Sequence, residues 1–257
     1  MRIFSADRSG AGRFLMEIAS SMGLDADLCG PSIEGPDVGE ASVMMLRNVP
    51  LSVGKDLTVA AVMRPWGSGY SSFPAGLEGA SAVAASDPCV CRQLSLARPD
   101  MEMFEEDGLE GCLEAMESGR VEALVAPSAE LRLSGRGIGM QCGALIPAPS
   151  QGAVAVVCRK DDPETLAAAR RLEDRRTRIE VGAERGILRL MRAGPLSPVG
   201  VSASLEDMFV HIEAVSFLCG DPRRFDDYVM SDYVMDDLLG IAEYLNGDRG
   251  YVVRGSA

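Results

Sequence analysis

GLEGCLEAMESGRVEALVAPSAELRL, residues 108–133, reads as helix, strand, helix. Leu109, Cys112, Leu113 and Met116 recur at helical spacing. VEALVAP (121–127) is apolar almost without a break, the pattern of a strand buried on both faces. Ser128, with Glu130 close behind, opens a short helix. Upstream, SAVAAS (81–86) is a short apolar run. PCVCRQLSLARPD (88–100) is helical, with Pro88 tolerated at the first turn and Pro99 near its end. MEMF (101–104) reads as a strand. Strands alternating with helices over these distances imply parallel sheets joined by crossover helices.

The same alternation extends outward. Residues 8–22 put Phe14, Leu15, Ile18, Ala19 and Met22 on one helical face. Strands follow at 41–46 and 57–63, separated by a loop marked by Pro50 and Gly54. WGSGYSSFPAG (66–76) reads as a linker or surface loop. ALIPAPSQGAVAVVCR (144–159) reads as strand, Pro/Gly loop and strand. Asp162 is placed to cap a helix that has Pro163 at its first position. The next helix, 179–192, turns Ile179, Ala183, Ile187, Leu190 and Met191 inward, and Gly194 falls where a C-cap glycine belongs. VGVSASL and FVHIEAVSF form a hairpin about Glu206-Asp207. The tail, 225–246, carries a helical face of Tyr233, Leu238, Ile241 and Leu245. The fold class expected is therefore α/β, with two α/β units and a smaller C-terminal α+β unit.

Composition narrows the function. The 257 residues are 47% hydrophobic, and no apolar run reaches the ~18 residues of a membrane span. The start, MRIFSADRSG, lacks the apolar core of a signal peptide, so a cytoplasmic protein with no membrane partner is expected. A formal charge of −13 argues against nucleic acid as a partner. The densest basic stretch, Arg170–Arg178, is interrupted by Glu173 and Asp174 and reads as solvated surface. Seven scattered cysteines are no secreted disulfide framework. Cys89-Val-Cys91 has no second pair to complete a zinc set, so no metal is expected, and small buried thiols are. His211 is the only histidine, which excludes a His-based triad; its surroundings make it a strand residue. GRGIGM (135–140) lacks the strand–helix context of a dinucleotide site.

Three segments carry a more specific signal: RVEALVAPSAELRLSG (120–135), IPAPSQGAVAVVCRKDD (146–162) and AERGILRLMRAGPLSPVG (183–200). In this order and at this spacing they resemble porphobilinogen deaminase, also called hydroxymethylbilane synthase, of tetrapyrrole (porphyrin) biosynthesis. VMMLRNVPLSVGKDLTVAAVMRP and SAVAASDPCVCRQLSLARPDMEM resemble that family's H-S-L-K-D-M-P and G-T-S-S-L-R-R segments. The resemblance implies two domains like a periplasmic-binding-protein pair and a small third domain with a cofactor loop. The boundaries it suggests are 1–78 with 146–160, then 79–145, then 161–257.

The departures from the family pattern bear on activity. The resemblance puts the cysteine that tethers the family's dipyrromethane cofactor at Pro195, which offers no sulfur; Ser197, two positions on, makes no thioether. It puts the catalytic aspartate at Asn48, and losing such a charge typically costs at least ~10²-fold in rate. Arg47 matches the lysine beside it. The tandem arginines that grip carboxylates fall on Cys89 and Val90, with Arg92 nearby on another helical face. The expectation is a chain that keeps the scaffold without the chemistry. It would hold no dipyrromethane cofactor and would bind a small anionic ligand or a protein partner through the inter-domain cleft. The ligand candidates are Arg8, Arg13, Arg47, Asn48, Ser86, Arg92, Ser150, Gln151 and Gly152. The turn Ser150-Gln151-Gly152 either offers N–H groups to an anion or is a plain β-turn. The alternative is an active transferase joining four porphobilinogens into hydroxymethylbilane, with its cofactor held non-covalently or on another cysteine such as Cys89 or Cys219.

Overall fold

Sheets form where the sequence runs apolar, and in several places where it does not. The structure, a computed structural model, describes residues 2–5, 20, 27–29, 40–45, 56–73, 77–136, 139–194, 196–233 and 235–248. In chain order the strands are β1 (Arg2–Ser5), β2 (Asp27–Cys29), β3 (Glu40–Met45), β4 (Leu57–Met63), β5 (Tyr70–Phe73), β6 (Ala82–Ala85), β7 (Glu102–Glu105), β8 (Ala123–Pro127), β9 (Met140–Cys142), β10 (Val154–Arg159), β11 (Val199–Glu206), β12 (Phe209–Ser216) and β13 (Arg223–Met230). The helices are α1 (Pro88–Ala97), α2 (Gly108–Glu117), α3 (Ser128–Leu133), α4 (Pro163–Arg170), α5 (Arg175–Leu190) and α6 (Met235–Leu245). The class is mixed α/β with open sheets.

The chain divides into two compact units. The first comprises residues 1–68, 127–137 and 151–178. Its sheet has the order β2-β1-β3-β10-β4. β1 runs parallel to β2 and β3, whereas β10 is inserted antiparallel between β3 and β4. Val154 through Cys158 are all buried, so both faces of β10 are covered. α4 packs against β10 and β4. Its cap is the expected one: Asp162 accepts from the Thr165 N–H at 2.9 Å, ahead of Pro163. The outer edge of β4 is closed. Glu173 accepts from the Val62 N–H at 2.7 Å, and the Asp174 N–H donates to the Val62 carbonyl at 3.0 Å. Arg178, paired with Glu173, belongs to the same edge.

The second unit comprises residues 69–126, 138–150 and 179–257. Its five-stranded sheet has the order β7-β6-β8-β5-β9. β6 is parallel to β7 and β8, and β5 pairs antiparallel with β9. β8 is buried along its whole length, as its apolar run requires. A separate antiparallel sheet, β11-β12-β13, is backed by α5 and α6. Its core joins Ala183 and Ile187 of α5, Val201 and Ile212 of the sheet, and Leu238 and Ile241 of α6. Gly186 lets α6 approach closely: a Cβ there would sit 2.7 Å from Leu238 Cδ1.

Several sequence expectations are corrected. The linker expected over 66–76 contains β5, and Tyr70, Ser71 and Ser72 are buried within it. Small residues were the reason for reading a loop, and they are also what lets backbones meet there. A Cβ on Gly139, just ahead of β9, would lie 1.5 Å from the Ser72 carbonyl oxygen. Residues 144–148 form no strand. Pro147 and Pro149 have no N–H for a ladder, and Ala144 is left-handed at φ 65. β9, not anticipated, supplies the neighbour of β5 instead. The first half of the tail expected to be helical is β13, a strand paired with β12 over its whole length. Leu238, Ile241 and Leu245 do form a buried helical face, but Tyr233 precedes α6. α5 starts earlier than expected, at Arg175, and Gly194 is not its left-handed cap. Arg192 is, at φ 55: its N–H donates to the Arg189 carbonyl (3.0 Å) and that of Ala193 to the Leu188 carbonyl (3.1 Å), the paired bonds of a Schellman motif. Of the helix expected over 8–22 only residue 20 is described, and it is helical; the others lie outside the described residues.

Candidate functional site

The segment Ile146–Gly152 is held at nearly every residue. Gln93 of α1 clamps Ile146 from both sides: its Oε1 accepts the Ile146 N–H and its Nε2 donates to the Ile146 carbonyl, each at 2.9 Å. The Pro147 carbonyl accepts from the Val201 N–H at 2.8 Å. The Ala148 N–H donates to the Tyr70 hydroxyl at 3.3 Å. The Ser150 N–H donates to Glu184 at 2.7 Å. Gln151 Nε2 donates to the Ser68 carbonyl at 2.5 Å. Gly152 is left-handed at φ +70, and a Cβ there would stand 1.9 Å from the Gly67 carbonyl oxygen, so no other residue fits. These bonds explain the P-S-Q-G pattern structurally: one residue without a donor, one serine whose N–H is spent on Glu184, one buried hydrogen-bonding amide and one glycine that must pass another backbone.

The start of α1 is built around a buried acid. Asp87 is its N-cap, accepting from the Cys89 N–H at 2.8 Å and from the Tyr70 hydroxyl at 2.7 Å. A carboxylate there satisfies a helix N–H and meets the positive end of the helix dipole. The protein therefore supplies its own anion at this helix terminus. Cys89 and Val90 are both 0% exposed. Cys89 packs with Ile146 and Val215, and its sulfur accepts from Gln93 Nε2 at 3.4 Å. Cys91 is buried too, its Sγ donating to the Ala85 carbonyl at 3.7 Å. Burial, reinforced by the nearby charges of Glu105 and Asp87, pushes the Cys91 thiol up to about 12. Cys112 and Cys158 are also buried, Cys142 is half-buried and Cys219 is exposed, so four of the described cysteines are the small buried thiols expected.

α5 supplies two acids, one turn apart, to the edge of β11. Glu184 accepts from the Ala203 N–H at 3.1 Å and Glu180 from the Leu205 N–H at 3.0 Å. Four residues of helix rise about 6 Å and two residues of strand about 6.8 Å, so the spacings match. With the Val201 N–H taken by Pro147, this edge is closed to any incoming strand. Tyr233 donates to the Ile179 carbonyl at 2.9 Å. Burial, with the Glu184 charge adding, pushes the Tyr233 phenol up to about 12. Desolvation lowers the Arg185 guanidinium from its ordinary value. In the loop after α5, the Gly194 N–H donates to the Ser197 hydroxyl at 2.9 Å. Leu196 is 73% exposed.

Among the candidates chosen from sequence, Ser150, Gln151 and Gly152 form one turn; Ser150 and Gln151 are buried, and the Ser150 N–H is engaged by Glu184. Ser86 is half-buried just before the Asp87 cap, and Arg92 is exposed on α1. Arg8, Arg13, Arg47, Asn48 and Pro195 lie outside the described residues. Asp87, Tyr70 and Glu184, which organise the site, were not singled out. The Asp-Pro pair at 87–88 was a legible cap signal; Tyr70 was hidden in a stretch taken for a loop. His211 is a strand residue, as expected, bonded to Asp226 at 2.6 Å and stacked on Tyr228. Among the described residues no group of three His, Cys, Asp or Glu side chains forms a metal site. No described helix is long and apolar enough to cross a membrane.

The fold and site thus define an α/β protein with one open five-stranded sheet in each unit and a three-stranded antiparallel sheet in the second. Among curated proteins, the porphobilinogen deaminase of Mycobacterium bovis (strain BCG / Pasteur 1173P2) is 31% identical over 203 residues, covering 73% of this chain and 62% of that enzyme. That of Xanthomonas axonopodis pv. citri is 28% identical over 228 residues, 83% of this chain and 70% of the enzyme. That of Corynebacterium glutamicum is 35% identical over 138 residues, 50% of this chain and 44% of the enzyme. The chain is similar to these porphobilinogen deaminases, and it spans less than half of the length of the Corynebacterium enzyme. No protein-family model matches it. Of solved structures, the Bordetella pertussis BvgS periplasmic VFT2 domain aligns over 67% of the chain at 12% identity (TM-score 0.41). An ancestral cationic amino acid solute-binding protein also aligns over 67% at 12% identity (TM-score 0.42).

Proposed function

We propose that this chain is a non-catalytic relative of the porphobilinogen deaminases, a binding or interaction protein that uses the scaffold without the polymerising chemistry. The observation that carries the reading is at α1. The two positions that the resemblance assigns to carboxylate-gripping arginines hold Cys89 and Val90, both sealed in the core. The N-terminus beside them is filled by the protein's own Asp87. An anionic pyrrole chain would find there neither a guanidinium fork nor a vacant helix end. Residues 191–200 contain no cysteine, so the loop has no group to form the family's thioether. A dipyrromethane cofactor does not fit this loop. Expected partners are a small anionic ligand or another protein, with nucleic acid disfavoured by the −13 charge.

One observation favours the alternative of an active transferase. Cys89 Sγ lies 3.3 Å from where a Cβ on Gly200 would be, close to the end of the loop that carries the cofactor in the family. Against it, Cys89 has no exposed surface, and a bulky adduct would have to open the packing around Ile146 and Val215. The two readings separate by intact-protein mass together with porphobilinogen consumption. The expected result is an unmodified chain of 27.3 kDa and no consumption above the spontaneous rate. Steady consumption would overturn the proposal, as would a fixed mass excess that disappears in Cys89→Ser.

A further inference from the structure

The second unit contains a cavity of about 420 Å³ away from the Asp87 cap and the turn at 150–152. Its size lies within the roughly 300–1,000 Å³ of small-molecule pockets. It opens between the C-terminal half of α1, the residues leading into β6, and β9 with the turn that follows. Leu77, Leu94, Ala97 and Leu145 give it apolar walls, and Met140 and Cys142 of β9 add polarisable sulfur. The frame is fixed by bonds already described. Gln93 at its back spends its amide on Ile146, so it steadies the wall and adds no further donor.

The charges at the rim are unequal in what they have left to offer. Arg98 is committed to Asp100 through two bonds, 2.8 and 2.6 Å, and also donates to the Leu77 carbonyl. Glu78 is exposed and negative. Arg224 of β13 is exposed, and no ion pair of its own is formed among the described residues. One uncommitted guanidinium over an apolar chamber favours a ligand with one negative charge and a hydrophobic body. Glu78 at the same rim repels a second charge, which separates this site from polyanionic pyrrole chains.

We propose that this cavity is a binding site for an apolar monocarboxylate, its body among Leu77, Leu94 and Leu145 and its carboxylate on Arg224. The site shares no residue with Cys89, Val90, Asp87 or the loop 191–200, so it stands whether or not the chain consumes porphobilinogen. The test is fluorescence titration of the full chain with 2-naphthoate, 2-naphthylmethanol and 2-naphthylmethylamine, which share a body and differ in charge. The expected order is acid, alcohol, amine, with the acid about fivefold tighter than the alcohol, an exposed ion pair being worth up to ~1 kcal/mol. Arg224→Ala removes the advantage of the acid and leaves the alcohol unchanged. Ala97→Trp, at an exposed position on the mouth, abolishes binding of all three; neither variant disturbs buried residues. The proposal is overturned if none of the probes binds, if acid and alcohol bind alike, if Arg224→Ala leaves the acid's advantage intact, or if Ala97→Trp leaves binding intact. Porphobilinogen consumption, followed separately, is unaffected by any of these outcomes.

Discussion

Glu184 has two carboxylate oxygens and spends both on backbone N–H groups, one in the turn at Ser150 and one in the strand at Ala203. Removing the side chain leaves two buried donors unsatisfied, at about 1–3 kcal/mol each. Glu184→Ala is therefore expected to lower the unfolding free energy by about 3 kcal/mol in urea titration. Glu184→Gln has a single acceptor oxygen and turns an NH2 toward the second donor, so it should lose about half as much. A Glu184→Ala variant within ~0.5 kcal/mol of the parent would show that water or a rearranged neighbour satisfies both groups. The residue sits in the E-R motif that carried the family resemblance, yet its visible work is structural. Its pattern was legible in the sequence; its partners, 34 and 19 residues away, were not.

Elements whose pattern is local were read correctly. α4 has its cap and N1 proline written consecutively at 162–163, and β8 and β10 are unbroken apolar runs, so no distant contact was needed to recognise them. β5 was missed because a strand of Tyr and Ser between glycines has no hydrophobic period. It exists because Gly139 lets another backbone lie against Ser72 and because Tyr70 bonds to Asp87. The end of α5 was misjudged by two residues for a similar reason: a glycine was in the usual place, but the chain turned at Arg192 instead. An exposed arginine in the left-handed region is strained relative to glycine. Arg192→Gly should therefore raise the unfolding free energy by about 0.5–1 kcal/mol after the entropy glycine adds to the unfolded chain, read as a higher urea midpoint. A loss of stability in that variant would reveal a contact made by the Arg192 side chain.

At the scale of the whole molecule, the raised thiol and phenol values act together as a limit on alkaline stability. In the unfolded chain Cys91 ionises from its ordinary value of 9.0 and Tyr233 from 10.0, whereas the folded protein holds both protons to about 12. Above pH 9 the unfolded state thus binds fewer protons than the folded state, and stability falls as pH rises, most of all between 9 and 12. Urea midpoints should be steady from pH 7 to 8.5 and then decline. Cys91→Ala should decline less over the same window; a parallel decline in the two proteins would remove Cys91 as a cause. By itself the sequence determined the α/β class, the buried strands, the cap of α4 and the resemblance to porphobilinogen deaminases, because each is written in local pattern or ordered motifs. Only the tertiary structure decided that a Gly/Ser stretch is a core strand, that Tyr70 of that strand bonds to Asp87, and that Glu180 and Glu184 close the edge of β11. Those outcomes depend on which distant backbone groups are left without partners once the chain has packed, and no local pattern records that.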